Sequence, residues 1–549
     1  MRRVLPALLA AALLLSTEGI ARPKIGFPAF SPPGGEIEAV VRGIGGEFEV
    51  SIEGEFSSAP LEVVSEEREG EALRLRLRIP EQVEPGLYDL VVRSGGSEFR
   101  EPNSVAVVEP KERLSVLWVS DTHYDIRRSQ ERQAARFQRT VWLANFLSPD
   151  LVILTGDACN NPHEVIFEGL RRELQDLDVP IIVLPGNHDH APGDELFSKY
   201  IGVANESLDV LFLHVSLLDT GPGSLNGALT PEQLSWLRED LESSDAPVKI
   251  VLMHHPPFAI ENRTGAGKAE LLEAASGADA ILSGHMHENY VYEEPVLMVT
   301  NPNCYGEPAG TAIPGFRFFW VDPTGIEWLG GVSEPIRLDY WSVEYLQLND
   351  GSSPGFSALI ENRGPWPLNG TLRVRLSGSG EISVEGGELL WVRESRLGYR
   401  VAAISVSVGP GESVTVSAWT EPDTDPPEAS LEWEVEVKRS AVIYLNWTVR
   451  DDVLGVAEAE CQVSAGGESK EVKLLRLDED TFIGTVTVPA ELGSARIRLR
   501  AVDVSGKEST FKEEVSWAET PGAPPWLLPA VIGAAALAAA VLLARRLRS

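Results

Sequence analysis

Five short stretches between Asp121 and His287 carry side chains suited to binding metal ions, and each follows an apolar run. Leu114-Ser-Val-Leu-Trp-Val-Ser120 leads into Asp121-Thr122-His123, and Leu151-Val-Ile-Leu-Thr155 into Gly156-Asp157. Ile181-Ile-Val-Leu184 leads through Pro185 into Gly186-Asn187-His188-Asp189. Val248–Met253 leads into His254-His255, and Ala278–Leu282 into Gly284-His285-Met286-His287. Asp121 and His123 stand two apart on a loop and can face one ion. Asp157 can bridge two cations, Asn187 offers a neutral carbonyl oxygen, and His254, His285 and His287 offer imidazole nitrogens. Mixed nitrogen and oxygen donors without thiolate suit Mn, Fe, Zn or Co better than Ca or Mg. The set is too large for one ion, so two divalent transition-metal ions a few Å apart are expected. Such a pair acidifies a bridging water and clamps a phosphoryl group for in-line attack.

The elements that must position these groups are short strands. Leucine-rich and β-branched runs without polar alternation suit a sheet covered on both faces. Ligands of open α/β sheets gather beyond the carboxyl ends of the strands, so the strand ends are expected to converge. Between the strands, 131–147, 165–177 and 231–241 read as helices, with Thr230-Pro231 as an N-terminal cap and first turn. Strand and helix in alternation argue for an α/β layered domain over 112–337. Its end, 315–330, reads as a hairpin around Pro323–Gly325.

The series Asp-x-His, Gly-Asp, Gly-Asn-His-Asp, His and Gly-His-x-His, in that order, resembles the calcineurin-like metallophosphoesterases over about residues 112–335. The resemblance implies that Asp121, His123, Asp157 and His287 hold one metal. Asp157, Asn187, His254 and His285 would hold the other. His188 would stand near the leaving group as acid or charge stabiliser, and Asp189 would orient it. The family's Val-Leu-x-His form fits Val251-Leu-Met-His254, although the adjacent His255 competes for that place. Purple acid phosphatases carry an iron-binding Tyr three positions after the bridging Asp. Here that position is Asn160, which argues against an iron–tyrosinate site. The pattern is closer to the branch that includes class III cyclic-nucleotide phosphodiesterases. His163, His190 and His214 lie outside the motifs. Tyr124 and Asn160 are candidates to touch substrate, and 160–164 and 258–275 to wall the cleft. Gly156, Gly186 and Gly284 are read as permitting tight backbone geometry.

The 549-residue chain is too long for one core. Its net charge of −35 argues against nucleic acid as a stable partner. An anionic substrate must therefore be drawn in by the metals. The three cysteines are too few for a disulfide scaffold, and a Cys159–Cys304 bridge is one possibility outside the cytoplasm.

The expected architecture is multidomain: a central α/β metallophosphoesterase sandwich flanked by all-β immunoglobulin-like domains, with a C-terminal transmembrane helix. Residues 1–21 read as an export signal, 24–110 as a β-sandwich, 338–420 as a β domain and 428–517 as an immunoglobulin-like domain. Acidic clusters in 428–517 are open to reading as calcium ligands or as solvated turns. Residues 526–544 are apolar and long enough to span a membrane. Arginines follow at 545–549, placing a short tail in the cytoplasm. Asn-x-Ser/Thr sequons at Asn205, Asn262, Asn369 and Asn446 agree with an exported ectodomain. The expected function is a two-metal hydrolase of phosphate mono- or diesters acting outside the cell. The alternative is a surface interaction protein whose β modules bind a partner.

Overall fold

The computed structural model describes residues 18–127, 131–190, 195–221, 227–304 and 313–517. Most of the expected export signal, the membrane helix at 526–544 and the tail at 545–549 lie outside the described residues. Of the signal stretch, Gly19–Arg22 forms a strand paired antiparallel with Glu36–Arg42. Among the described residues no helix is long and apolar enough to cross a membrane.

The metal-motif region is built on two six-stranded sheets rather than one. In the first, Leu114–Val119, Leu151–Thr155 and Ile181–Leu184 run parallel, and Gly315–Asp322 pairs antiparallel with Leu114–Val119. In the second, Leu213–Leu218, Val248–Met253, Ala280–Ser283 and Leu297–Thr300 run parallel. Side chains alternate between the two faces of a strand. Val116, Trp118 and Ile153 of the first sheet therefore meet Val215, Ile250 and Leu282 of the second in one dry layer. Leu117, Val119 and Leu154 face the other way, onto the helices Glu131–Leu147 and Glu164–Gln175. Val251, Met253 and Ile281 face the helices Pro231–Ser243 and Lys268–Ala274. Thr230 caps Pro231–Ser243 by accepting the Gln233 amide at 3.2 Å, while the Gln233 side chain returns the bond. Both sheets are thus covered on both faces, which is why their strands read as largely apolar runs with few polar interruptions.

The N-terminal unit is a sandwich of a four-stranded and a five-stranded sheet. In Ala72–Arg78, Leu73, Leu75 and Leu77 enter its core while Arg76 is exposed. Residues 428–517 form a second sandwich around Ile443, Trp447 and Leu499. The unit between, Trp341 to Trp419, has no core apart from the central domain. Val343, Phe356 and Val374 share one apolar cluster with Val141, Trp142 and Phe146 of the helix Glu131–Leu147. The Trp142 and Tyr345 rings stack at 5.0 Å. Arg375 ties this unit to both neighbours, reaching Glu55 of the N-terminal unit at 2.6 Å and Asp178 of the central domain at 2.5 Å.

Candidate metal centre

All seven expected ligands meet at the mouth between the two sheets. Asp121, His123, Asp157 and His287 each offer one donor atom, all within 4.8 Å of one another, and Asp157, His254 and His285 do the same. Asp157 belongs to both clusters. Its Oδ1 accepts the His188 amide at 2.8 Å. Its Oδ2 lies 3.2 Å from His254 Nε2 and 3.8 Å from His123 Nε2. One carboxylate oxygen thus stands between the two donor groups. His123 Nε2 and His287 Nε2 come within 3.0 Å, and His287 Nε2 is 3.3 Å from Asp121 Oδ1. Asn187 Oδ1 lies 3.1 Å from His254 Nε2 and 2.9 Å from His285 Nδ1. Nitrogens and oxygens converging this closely, with one carboxylate in common, fit a pair of transition-metal ions.

Local structure explains how strand ends deliver these groups. Asp121, His123, Asp157, His285 and His287 have φ between 45° and 69°. That left-handed conformation costs a non-glycine residue roughly 1–2 kcal/mol. It turns the chain sharply at the strand tip and aims each side chain into the mouth. The motif glycines allow the close approach. A Cβ on Gly186 would sit 2.2 Å from Asp157 Oδ1, and one on Gly284 2.0 Å from Ser120 Oγ and 2.4 Å from Asp121 Oδ2. Ser120 donates to Asp121 Oδ2 at 2.6 Å. His254 Nδ1 donates to the Thr155 carbonyl at 2.9 Å, which leaves Nε2 as the nitrogen that would face a cation.

The site is charged to receive cations. Burial works against charge on His254, yet the Asp157 carboxylate raises its imidazole to about 10. Burial likewise opposes ionisation of Asp157, but His254 holds it well below the usual carboxylate range. Burial pulls His123 and His285 down to about 4, so both present neutral rings. A cation bound at His254 must displace a proton.

His254 and His255 separate cleanly. His254 faces Asp157, whereas His255 Nδ1 bonds the Thr220 hydroxyl at 2.9 Å and its ring lies 4.0 Å from that of His285. The expectation for Asp189 is corrected. His188 Nδ1 donates to the Asn160 carbonyl at 2.8 Å, so that carbonyl orients the ring. Asp189 is 1% exposed and accepts the amides of Gly186 at 2.8 Å, Ala158 at 3.1 Å and Cys159 at 2.7 Å. It clasps two ligand loops and does not touch the imidazole. Burial, then the Asp157 charge, push its carboxyl up to about 6 against those amides. Tyr124 is corrected too: it is 2% exposed, packs on Phe137 and reaches inward to Glu173. Asn160 does border the site, and its amide donates to Asp125 Oδ2 at 3.1 Å. Cys159 and Cys304 are buried free thiols, and Cys304 donates to the Gly315 carbonyl at 3.1 Å, so the bridge is not formed.

Sequence reasoning missed a further strand end. Leu213–Leu218 delivers Asp219 and Thr220 behind the second ligand group. Asp219 Oδ1 is 3.0 Å from His190 Nε2, and Thr220 holds His255. The signal was present as another apolar run ending in Asp.

The profile of the family described as calcineurin-like phosphoesterase matches residues 114–289. That part of the chain is a calcineurin-like phosphoesterase domain. The protein is a metal-dependent phosphoesterase, and its domain is of the kind that uses a dinuclear metal centre. A probable cyclic nucleotide phosphodiesterase of Coxiella burnetii is 25% identical over 214 residues, 35% of this chain and 84% of the relative. A cAMP/cGMP dual specificity phosphodiesterase of Mycobacterium tuberculosis is 27% identical over 31% of this chain. A probable glycerophosphodiester phosphodiesterase of Arcobacter nitrofigilis is 29% identical over 27% of this chain. The chain spans 59% of the length of each of these last two relatives. Each likeness covers little more than a third of this chain or less.

Proposed function

We propose that the protein is a two-metal phosphodiesterase, exported and held at the outer face of the membrane by its C-terminal helix. The observation that carries the reading is Asp157 Oδ2, set between His254 and His123 while the His188 amide occupies Oδ1. In this reading Asp121, His123, Asp157 and His287 hold one cation, and Asp157, Asn187, His254 and His285 the other. When bound, the two cations supply Lewis acidity toward the phosphoryl oxygens and an acidified water as in-line nucleophile. His188, with Nδ1 committed to Asn160, is left to present Nε2 to the leaving oxygen as proton donor or charge stabiliser. Asn187, His188, His285 and His287 are the partly exposed members, and they mark the side from which substrate enters.

A diester is favoured over a monoester on two grounds. The relatives bear phosphodiesterase names. On the strand that follows the His285–His287 loop, Tyr290 and Tyr292 form an aromatic cluster with Phe258, with ring centroids 5.1 and 5.7 Å from Phe258, and Tyr292 is exposed. Aromatic faces of this kind suit the apolar or planar second substituent of a diester. The flanking sandwiches, read as immunoglobulin-like, act as spacers. One observation favours a binding role as well: the edge strand Glu388–Glu394 exposes Leu389, Leu390 and Val392, while Trp391 packs edge-on against Phe56.

The test is turnover of bis(p-nitrophenyl) phosphate against p-nitrophenyl phosphate by the full chain in detergent, supplied with Mn, Zn, Fe or Co. The diester should be preferred at least tenfold. Asp157→Ala should lose both metal and activity. His188→Ala should keep its metal and lose about 10²–10⁴-fold in turnover. Preference for the monoester would remove the diester reading. Full activity in Asp157→Ala would remove the metal-centre assignment.

A further inference from the structure

A second cluster of carboxylates lies far along the chain from the phosphoesterase motifs. Asp423 sits in the linker before the C-terminal sandwich, Asp451 follows the strand Ser440–Arg450, and Asp503 ends the strand Ser494–Asp503. One carboxylate oxygen from each lies within 4.8 Å of those of the other two. The Asp423 and Asp503 side chains are 2% and 0% exposed, and Asp451 is 7% exposed.

The hydrogen bonding of the three is one-sided. Asp451 Oδ1 accepts the amides of Val453, Leu454 and Gly455 at 2.8–3.1 Å. Asp503 Oδ1 accepts the Ser505 hydroxyl and the Lys507 amide, each at 2.8 Å. Asp423 Oδ1 takes Lys507 Nζ at 3.0 Å. In all three residues Oδ2 is buried with no hydrogen-bond partner. Lys507 Nζ stands 4.0 Å from Asp503 Oδ2, beyond hydrogen-bond reach. Burying carboxylate oxygens without donors is costly. One ammonium against three carboxylates leaves two negative charges.

We propose that Asp423, Asp451 and Asp503 form a divalent-cation site that takes Ca²⁺. An all-oxygen donor set without imidazole or thiolate selects a hard cation. A divalent ion supplies the two missing charges and gives each free Oδ2 a partner. The site lies beside the seam with the preceding β unit: Gln347 Nε2 donates to the Asp451 carbonyl at 2.8 Å and Ser353 Oγ to the Asp452 carbonyl at 3.1 Å. A bound ion would fasten the linker to the sandwich at that seam, and so fix how the C-terminal unit holds the enzyme.

The test is radioactive-calcium equilibrium dialysis of the full chain in detergent with Mn²⁺ supplied, together with thermal unfolding with and without Ca²⁺. One equivalent should bind, with a Kd of about 10⁻³ M or tighter, the range of extracellular calcium modules. Asp157→Ala should leave that equivalent in place. Asp503→Asn and Asp423→Asn should each weaken it at least tenfold and abolish the Ca²⁺-dependent rise in Tm. Asp423 lies in the linker, so its variant decides the matter if Asp503→Asn fails to fold. No calcium bound at 10 mM, equal binding in Asp423→Asn, or loss of binding in Asp157→Ala would each overturn the proposal.

Discussion

Replacing Asp189 separates two roles that a carboxylate next to a catalytic imidazole can have. If it oriented His188, its removal would lower turnover and leave the fold intact. In the structure it satisfies three buried amides: those of Gly186 and Ala158 on Oδ2, and that of Cys159 on Oδ1. A buried amide left without an acceptor costs about 1–3 kcal/mol. A water entering the space left by Asp189→Ala would recover part of this, so a loss of about 3–5 kcal/mol is expected. Asp189→Asn keeps one carbonyl oxygen. Placed at the Oδ2 position, it serves Gly186 and Ala158 and turns an NH₂ toward the Cys159 amide, for a loss of about 1–3 kcal/mol. The assay is hydrogen exchange by mass spectrometry, with Mn²⁺ saturating, on peptides covering 156–160 and 185–190. In Asp189→Ala these amides should exchange about 10²-fold faster or more, the ratio that ~3 kcal/mol implies. Asp189→Asn should fall between it and the wild type, and metal content should follow the same order. Unchanged exchange in both variants, with turnover collapsed, would refute the clasp and return Asp189 to orienting His188.

Three further outcomes follow from particular contacts. Gly284→Ala places a methyl 2.0 Å from Ser120 Oγ and 2.4 Å from Asp121 Oδ2; it should lower bound metal measured by plasma emission, and full occupancy would contradict the packing. His214 bonds Asp209 at 2.7 Å and Asp240 at 2.9 Å, and although burial opposes its charge these bonds raise its pKa from 6.5 to about 9. The imidazolium therefore stabilises the fold fully below pH 6.5 and loses that effect as pH rises through about 9. His214→Gln should cost on the order of 1–2 kcal/mol at pH 6, after allowance for solvent screening, and nothing by about pH 10, read from urea unfolding. Cys159, Cys304 and Cys461 are buried and free; a thiol reagent should titrate all three only after unfolding, and a count of one would restore the Cys159–Cys304 bridge.

The donor set was legible because its members lie in short local motifs, each directly after an apolar strand. The two-sheet arrangement was not. Val116 and Ile250 belong to equally apolar runs, and nothing local says that they face one another from different sheets. The middle β unit is marked only coarsely for a similar reason. Its strands Gly355–Asn362 and Glu412–Trp419 give a weak strand signal because Ser357, Ala358, Ser417 and Ala418 are small. Ser357 and Ser417 pair their hydroxyls at 2.9 Å inside the sheet, where bulky residues would have announced a strand. Nor could the sequence show that this unit shares its core with Trp142 and Phe146. The same limit applies within single side chains. Residue type shows that Asp157 and Asp503 are acidic, but only the folded backbone decides which oxygen of each is spent on an amide. At Asp157 the His188 amide takes Oδ1 and leaves Oδ2 between two imidazoles. At Asp503 the Lys507 amide takes Oδ1 and leaves Oδ2 buried with none. That difference in surroundings, imidazole against oxygen alone, is what assigns transition metals to one site and calcium to the other.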